Sequence, residues 1–155
     1  MTGGPARIWK VTEDGQKYPK LPSPIQVVFL LQCWWYRGDW TIAFPFTGFR
    51  NGLPAGFNRK TLTCLLELPV GKSSSFETFT DTLIQQSGLV WPIANQVSAR
   101  NILHSAIERM VVDPLVGFGV LECEYFTKTN GGYASRDLTA IRLISTGKGM
   151  LELLK

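Results

Sequence analysis

Residues 98–113, SARNILHSAIERMVVD, decide the fold that this sequence predicts. Apolar residues recur there at i, i+1, i+4, i+5 and i+8, so they form one stripe along a helix. We therefore predict a long helix that buries the stripe and exposes the opposite, polar face. The stripe consists of Ile102, Leu103, Ala106, Ile107 and Met110, and the polar face of Arg100, Asn101, His104, Ser105 and Glu108.

The segment after this helix has the pattern of a β-hairpin. Pro114 and the turn at 117–119, Gly-Phe-Gly, are expected to end the helix. Apolar and polar residues then alternate in VLECEYF (120–126), and TNGG (129–132) supplies residues that tolerate positive φ. The strand LTAIRLIS (138–145) follows and leads into a closing helix, TGKGMLELL (146–154).

This order of elements resembles the back half of the winged helix-turn-helix family. The resemblance rests on Gly119-Val120-Leu121-Glu122 at the start of the first strand and on Ile144-Ser145-Thr146-Gly147, with Gly149, at the end of the second. It covers about half of the chain. It implies an α+β fold, mainly helical, with a winged-helix domain over residues 58–155 and an N-terminal extension over residues 1–57.

The N-terminal extension is predicted to hold a strand, a central helix and an aromatic loop. Ser23 as N-cap and Pro24 at the first helical position predict a helix that runs to about Tyr36. WTIAFPF (40–46) is interpreted as a short strand, and the aromatic residues that follow it as an ordered loop.

Two more helices are predicted before Ser98. Asn58 is expected to cap the first, RKTLTCLLEL (59–68), and Ser74 with Glu77 has the spacing of a capping box for the second, FETFTDTLIQQSG (76–88). The connection that follows, 89–97, is longer than the turn of a simple helix-turn-helix. Either this turn carries an insertion, or residues 92–97 form the first turns of a longer helix.

The two ends of the chain show a faint internal repeat. RIWKVTEDGQKYPKL (7–21) and AIRLISTGKGMLELL (140–154) both give an alternating strand, a threonine, a nearby glycine and a short apolar segment. One hypothesis is that residues 6–21 are the tail of a preceding winged-helix unit. The alternative is a surface strand followed by a turn.

The positive charge lies mainly in the first part of the chain. The net charge is +4, but residues 1–60 carry eight lysines and arginines against three acidic residues, whereas residues 61–155 carry eight against nine. The segment that resembles a DNA-binding fold is therefore not the basic one.

The cysteines and the hydropathy pattern indicate a cytoplasmic protein. Cys33, Cys64 and Cys123 are odd in number, lie in apolar runs and are interpreted as buried, reduced thiols. The sequence has no recognisable signal peptide, and its longest apolar run is too short to span a bilayer. One histidine and three scattered cysteines do not predict a metal site, and we expect no cofactor.

The resemblance implies a non-enzymatic function in nucleic-acid binding, with duplex DNA as the partner and a role as a transcription regulator or accessory domain. The alternative is a protein–protein docking module in a larger assembly. The thin signals for catalysis, a lone histidine and a pair of strand carboxylates, do not favour an enzyme. The residues that the resemblance places at bases or phosphates are Ser98, Arg100, Asn101, His104, Ser105, Lys128 and Arg136, with Lys148 as a further phosphate contact.

Overall fold

A computed structural model describes residues 12–43, 49, 52–92, 95–130 and 133–155, excluding the side chains of residues 14, 128–130 and 133–135. The predicted fold class is confirmed, because the described chain is mainly helical with one small antiparallel sheet. The helices are α1 Glu13–Lys17, α2 Ser23–Arg37, α3 Phe57–Leu66, α4 Phe76–Ser87, α5 Gln96–Ile107, α6 Asp113–Gly117 and α7 Ser145–Glu152. The strands are β1 Ser73–Ser75, β2 Leu121–Asn130 and β3 Tyr133–Leu143.

The long helix predicted over 98–113 is extended at both ends. It begins at Gln96, because the side chain of Asn95 accepts a hydrogen bond from the Ser98 amide at 3.0 Å and so caps the first turn. It continues from α5 through a π-helical segment, Glu108–Val112, into α6. Pro114 does not end it, since this proline lies in the first turn of α6, directly after the π-helical segment.

The long connection between α4 and α5 lies outside any helix at residues 89–92 and 95. Gly88 ends α4 in the left-handed conformation with φ +69, as its position after the helix predicts. Pro92 and Asn95 both lie outside α5. The hypothesis that 92–97 form the first helical turns is therefore wrong except for the last two residues, and Ile93 and Ala94 lie outside the described residues.

The predicted hairpin is present and is joined by a third strand. β2 and β3 pair antiparallel from Leu121↔Leu143 to Asn130↔Tyr133, with one irregularity between Glu124 and Tyr125. The glycines of the predicted tip, 131–132, lie outside the described residues. β1 adds to the other edge of β3, which gives the order β1-β3-β2. The sequence did not predict β1, because Ser-Ser-Ser has no apolar alternation.

Three capping predictions are wrong by one or two residues. Ser23 is already helical and Pro22 precedes it as the cap residue. Ser75 rather than Ser74 caps α4, accepting a hydrogen bond from the Thr78 amide at 3.3 Å, because Ser74 is paired in β1. The third helix starts at Phe57, so Asn58 lies within its first turn.

The predicted strand at 40–46 is also wrong where it is described. Trp40–Ala43 form a 3₁₀ helix, and residues 44–46 lie outside the described residues. The indole N–H of Trp40 donates to the carbonyl of Trp34 at 3.1 Å, which folds this segment back on the end of α2. The tryptophan is therefore a core residue of a compact turn.

Residues from both predicted segments form one hydrophobic core. Trp34 and Trp40 stack with centroids 4.6 Å apart, and Trp40 meets Phe57 edge-on at 5.9 Å. At the same end of α2, the Tyr36 hydroxyl donates to the carbonyl of Leu154 at 2.7 Å. Beneath these contacts lie completely buried side chains, among them Leu31, Leu65, Leu83, Ile107, Met110, Leu115, Ile141, Leu143 and Leu151.

Candidate functional site

The polar face of α5 is divided between an exposed row and a row that contacts α4. Ser98, Asn101 and Ser105 are exposed and follow one another at helical spacing. All three are uncharged hydrogen-bonding side chains. The buried stripe predicted for this helix is present as Leu103, Ala106 and Ile107 at its centre.

Arg100 does not extend away from the helix, because two carboxylates of α4 hold it. Its Nε donates to Asp81 at 3.0 Å, and one terminal nitrogen donates to Glu77 at 2.7 Å and also to Asp81. The hydrogen bonds from Arg100 lower the pKa of Asp81 to about 2, and the same contacts raise the pKa of Arg100. The guanidinium is thus committed to the protein's own acids.

His104 completes the same group of side chains. Its Nε2 lies 2.9 Å from Asp81, and only 17% of its side chain is exposed. Its ring meets Phe76 edge-on with centroids 6.0 Å apart. We name Glu77, Asp81, Arg100 and His104 the α4–α5 polar cluster.

The α4–α5 polar cluster follows from matched spacing on two helices. Glu77 and Asp81 are four residues apart on α4, and Arg100 and His104 are four apart on α5, so each pair lies on one face of its helix. Packing α4 against α5 brings the two faces together. The resemblance predicted that Arg100 and His104 contact DNA. The matching four-residue spacings on the two helices were not compared, so their contact was not predicted.

The hairpin brings one predicted phosphate ligand to the surface. Arg136 is exposed on β3, and its guanidinium lies 4.3 Å from the ring centre of Tyr125 on β2. The side chain of Lys128 lies outside the described residues. Lys148 is half-buried in α7.

Two carboxylates on β2, Glu122 and Glu124, would repel a duplex if they faced it, but both have partners within the sheet. Glu122 accepts hydrogen bonds from Arg142, one of them from Nε at 2.9 Å, and Glu124 accepts one from the hydroxyl of Ser73. These contacts join β1, β2 and β3 side by side. Both carboxylates therefore stabilise contacts between the strands of the sheet.

Positive charge is sparse around the α4–α5 polar cluster. From Ser73 to Ala99 the sequence holds no lysine or arginine, but it holds Glu77 and Asp81. With Arg100 included, residues 76–107 carry one arginine against two carboxylates, a net charge of −1 with His104 neutral. A net negative charge over these residues does not favour a polyanion.

A groove of about 300 Å³ lies beside the cluster, between α4, the connection and α5. Its floor is apolar, with Leu89 and Leu103 only 2% and 5% exposed. Trp91 lines it and meets Phe49 edge-on at 5.2 Å. Val90, which also lines it, is 74% exposed.

The three cysteines were predicted to be buried thiols, but only Cys64 is buried, and Cys33 and Cys123 are half-buried. Cys64 is buried and donates to the amide oxygen of Gln86 at 3.2 Å. Burial raises the pKa of Cys64 and that of Cys123, which disfavours the reactive thiolate. Within the described part of the chain, no three histidine, cysteine or acidic side chains form a group that could bind a metal ion.

No protein-family model, curated protein or solved structure matches this chain. Over the ranges that the structure describes, none of the helices has the length and apolar content needed to cross a bilayer.

Proposed function

We propose that residues 57–155 form a winged helix-turn-helix domain that docks onto another protein. Support for this class comes from the order of elements, in which α4 and α5 precede an antiparallel hairpin and a closing helix. The hairpin and closing helix are the parts on which the resemblance rests. The domain acts by binding and not by catalysis.

One observation carries the choice of a protein partner. Arg100, the one lysine or arginine of α5, the segment that would enter a major groove, is held by Glu77 and Asp81. Binding to a duplex depends on neutralising its phosphates with lysine and arginine side chains. The non-specific affinity is therefore low when the protein offers few of these side chains. A helix pair with a net charge of −1 instead suits a protein surface.

Duplex DNA is the second candidate, as the ligand of a regulator or of an accessory domain in a larger protein. It is favoured by the exposed row of Ser98, Asn101 and Ser105, since an exposed asparagine can donate to and accept from adenine in the major groove. Arg136 on the hairpin would then contact a phosphate.

A salt titration distinguishes the two candidates. We expect a fluorescently labelled random duplex to show no anisotropy change with this protein at about 50 mM salt, where the non-specific electrostatic attraction is strong. Arg136→Ala serves as the matched variant. The docking proposal fails if the wild type binds the duplex with an affinity that falls steeply with salt and Arg136→Ala reduces that slope by about one.

We also propose a cytoplasmic location. The free thiols Cys33, Cys64 and Cys123 support it, since an oxidising compartment favours disulfides. Alkylation of the protein in unbroken cells, followed by mass spectrometry, tests this. All three thiols are expected to be reduced.

A further inference from the structure

We propose that the groove between α4 and α5 receives an apolar side chain from a basic amphipathic helix of the partner protein, while a lysine or arginine of that helix pairs with Glu77 or Asp81. This inference rests on the proposed docking function and names the chemistry of the partner. It is carried by the apolar surface of the groove and by the charge at its rim.

Apolar side chains border the groove where a folded protein ordinarily has polar ones. Val90, in the connection, and Val97, in the first turn of α5, are 74% and 71% exposed. Val90 lines the groove, which reaches down to Leu103 of the core. Val97 follows the lining residue Gln96 in the sequence. A neighbouring apolar surface of this kind next to a concavity is typical of a site for protein contact.

Asp81 and Arg100 line the groove, and Glu77 contacts Arg100 beside it, so the groove and its rim carry two carboxylates against one guanidinium. The side chains of Glu77 and Asp81 are 65% and 43% exposed, although both contact Arg100. A carboxylate has about four acceptor positions, so pairing with one guanidinium leaves capacity for a second cation. No lysine or arginine between Ser73 and Ala99 competes for these positions in the sequence. Complementary charge therefore selects a basic partner.

The shape of the groove favours a helix as the occupant. Its two walls are α4 and α5, with Ile84 on the first and Ala99 on the second. A groove between two helices is the ordinary receptor for an amphipathic helix, which inserts apolar residues at i, i+3 or i+4. Basic residues on the flank of such a helix would then lie over Glu77 and Asp81.

The test is a methyl NMR titration of the whole chain with three helical peptides of about 15 residues, a length at which a helix forms in part in water. The first combines leucine at i and i+4 with lysine on the flanks, the second replaces lysine by glutamate, and the third is a scrambled form of the first. We expect the lysine peptide alone to shift the methyl signals of Ile84, Val90 and Leu103, which line the groove.

Two matched variants locate the contact. Val90→Lys places a cation at the groove, and Ile42→Lys makes the same change of charge on the 3₁₀ helix at a side chain that is also 74% exposed. We expect Val90→Lys to raise the Kd of the lysine peptide at least about tenfold. Ile42→Lys is expected to change this Kd by no more than about twofold. Thermal unfolding of both variants checks that each is folded.

Several outcomes would overturn the inference: equal binding of the glutamate peptide, shifts confined to methyl groups away from the groove, or equal effects of the two variants. A duplex DNA titration of the same sample separates the two proposals. If neither peptide nor duplex moves the groove signals, the inference about the groove fails alone. If the duplex binds with a steep dependence on salt and the peptides do not, the docking function fails with it.

Discussion

Arg100 illustrates how the surroundings of a side chain change its use. On the sequence it occupies the polar face of a helix that resembles a DNA-recognition helix. In the folded chain it bridges Glu77 and Asp81 on the preceding helix and ties α5 to α4. Its positive charge therefore stabilises the contact between α4 and α5.

The carboxylate of Asp81 gives this helix pair a dependence on pH. Its pKa is about 2 in the folded chain, below the ordinary value of 3.8, because Arg100 and His104 donate to the charged form. A lowered folded pKa means that the stabilisation is complete above pH about 4 and is lost as the pH falls towards about 2.

We therefore expect Asp81→Asn to lower the Tm at pH 7 and to have a smaller effect at pH 2, measured by circular dichroism. Because Asp81 and Arg100 are both partly exposed, added salt is expected to reduce the difference at pH 7 as well. A difference in Tm that is the same at both pH values would show that the side chain acts through packing and not through its charge.

At the level of elements, the sequence predicted those with a strong apolar pattern. The stripe from Ile102 to Met110 and the alternation after Gly119 identified the long helix and the hairpin. β1 was not predicted, because its own sequence has no strand pattern. It forms by pairing with the edge of β3. The ion pairs of Arg100 were missed for a similar reason, since both partners must be placed before their contact is visible.

The closing helix α7 depends on a glycine that allows close packing. A Cβ at Gly147 would lie 2.2 Å from the carbonyl oxygen of Val120 and 2.7 Å from its Cα, so backbone atoms would have to move. At Gly149, two residues further on in the same helix, a Cβ would have no neighbour within 4 Å.

These two positions give a matched pair of variants. We expect Gly147→Ala to lower the free energy of unfolding by about 1–3 kcal/mol, as overpacking does. Gly149→Ala is expected to raise it by about 0.5–1 kcal/mol, because alanine favours a helix. Urea denaturation measures both. Similar effects of the two changes would show that α7 does not pack on Val120 as described.

For the molecule as a whole, the contacts of Trp34 and Trp40 predict that the described chain unfolds as one cooperative unit. Trp34 contacts Phe118 at the end of α6, and Trp40 contacts Phe57 at the start of α3, although both tryptophans precede residue 57. The division at residue 57 is thus crossed by buried aromatic contacts. Two segments that share a core are expected to lose it together.

We expect the urea transitions followed by tryptophan fluorescence and by far-ultraviolet circular dichroism to coincide. Trp40→Ala should shift both to lower urea and cost about 3–5 kcal/mol, the usual range for a buried aromatic side chain. Ile42→Ala, at an exposed position two residues away, should change stability by less than about 0.5 kcal/mol. Two separate transitions would instead indicate independent domains.

The π-helical segment Glu108–Val112 has a consequence for comparing this chain with others. A single π turn holds one residue more than the α-helical turn that it replaces. The two flanking helices would therefore superimpose on a relative with a regular helix only if an alignment placed a one-residue gap within 108–112. An ungapped comparison would offset every position after residue 112 by one.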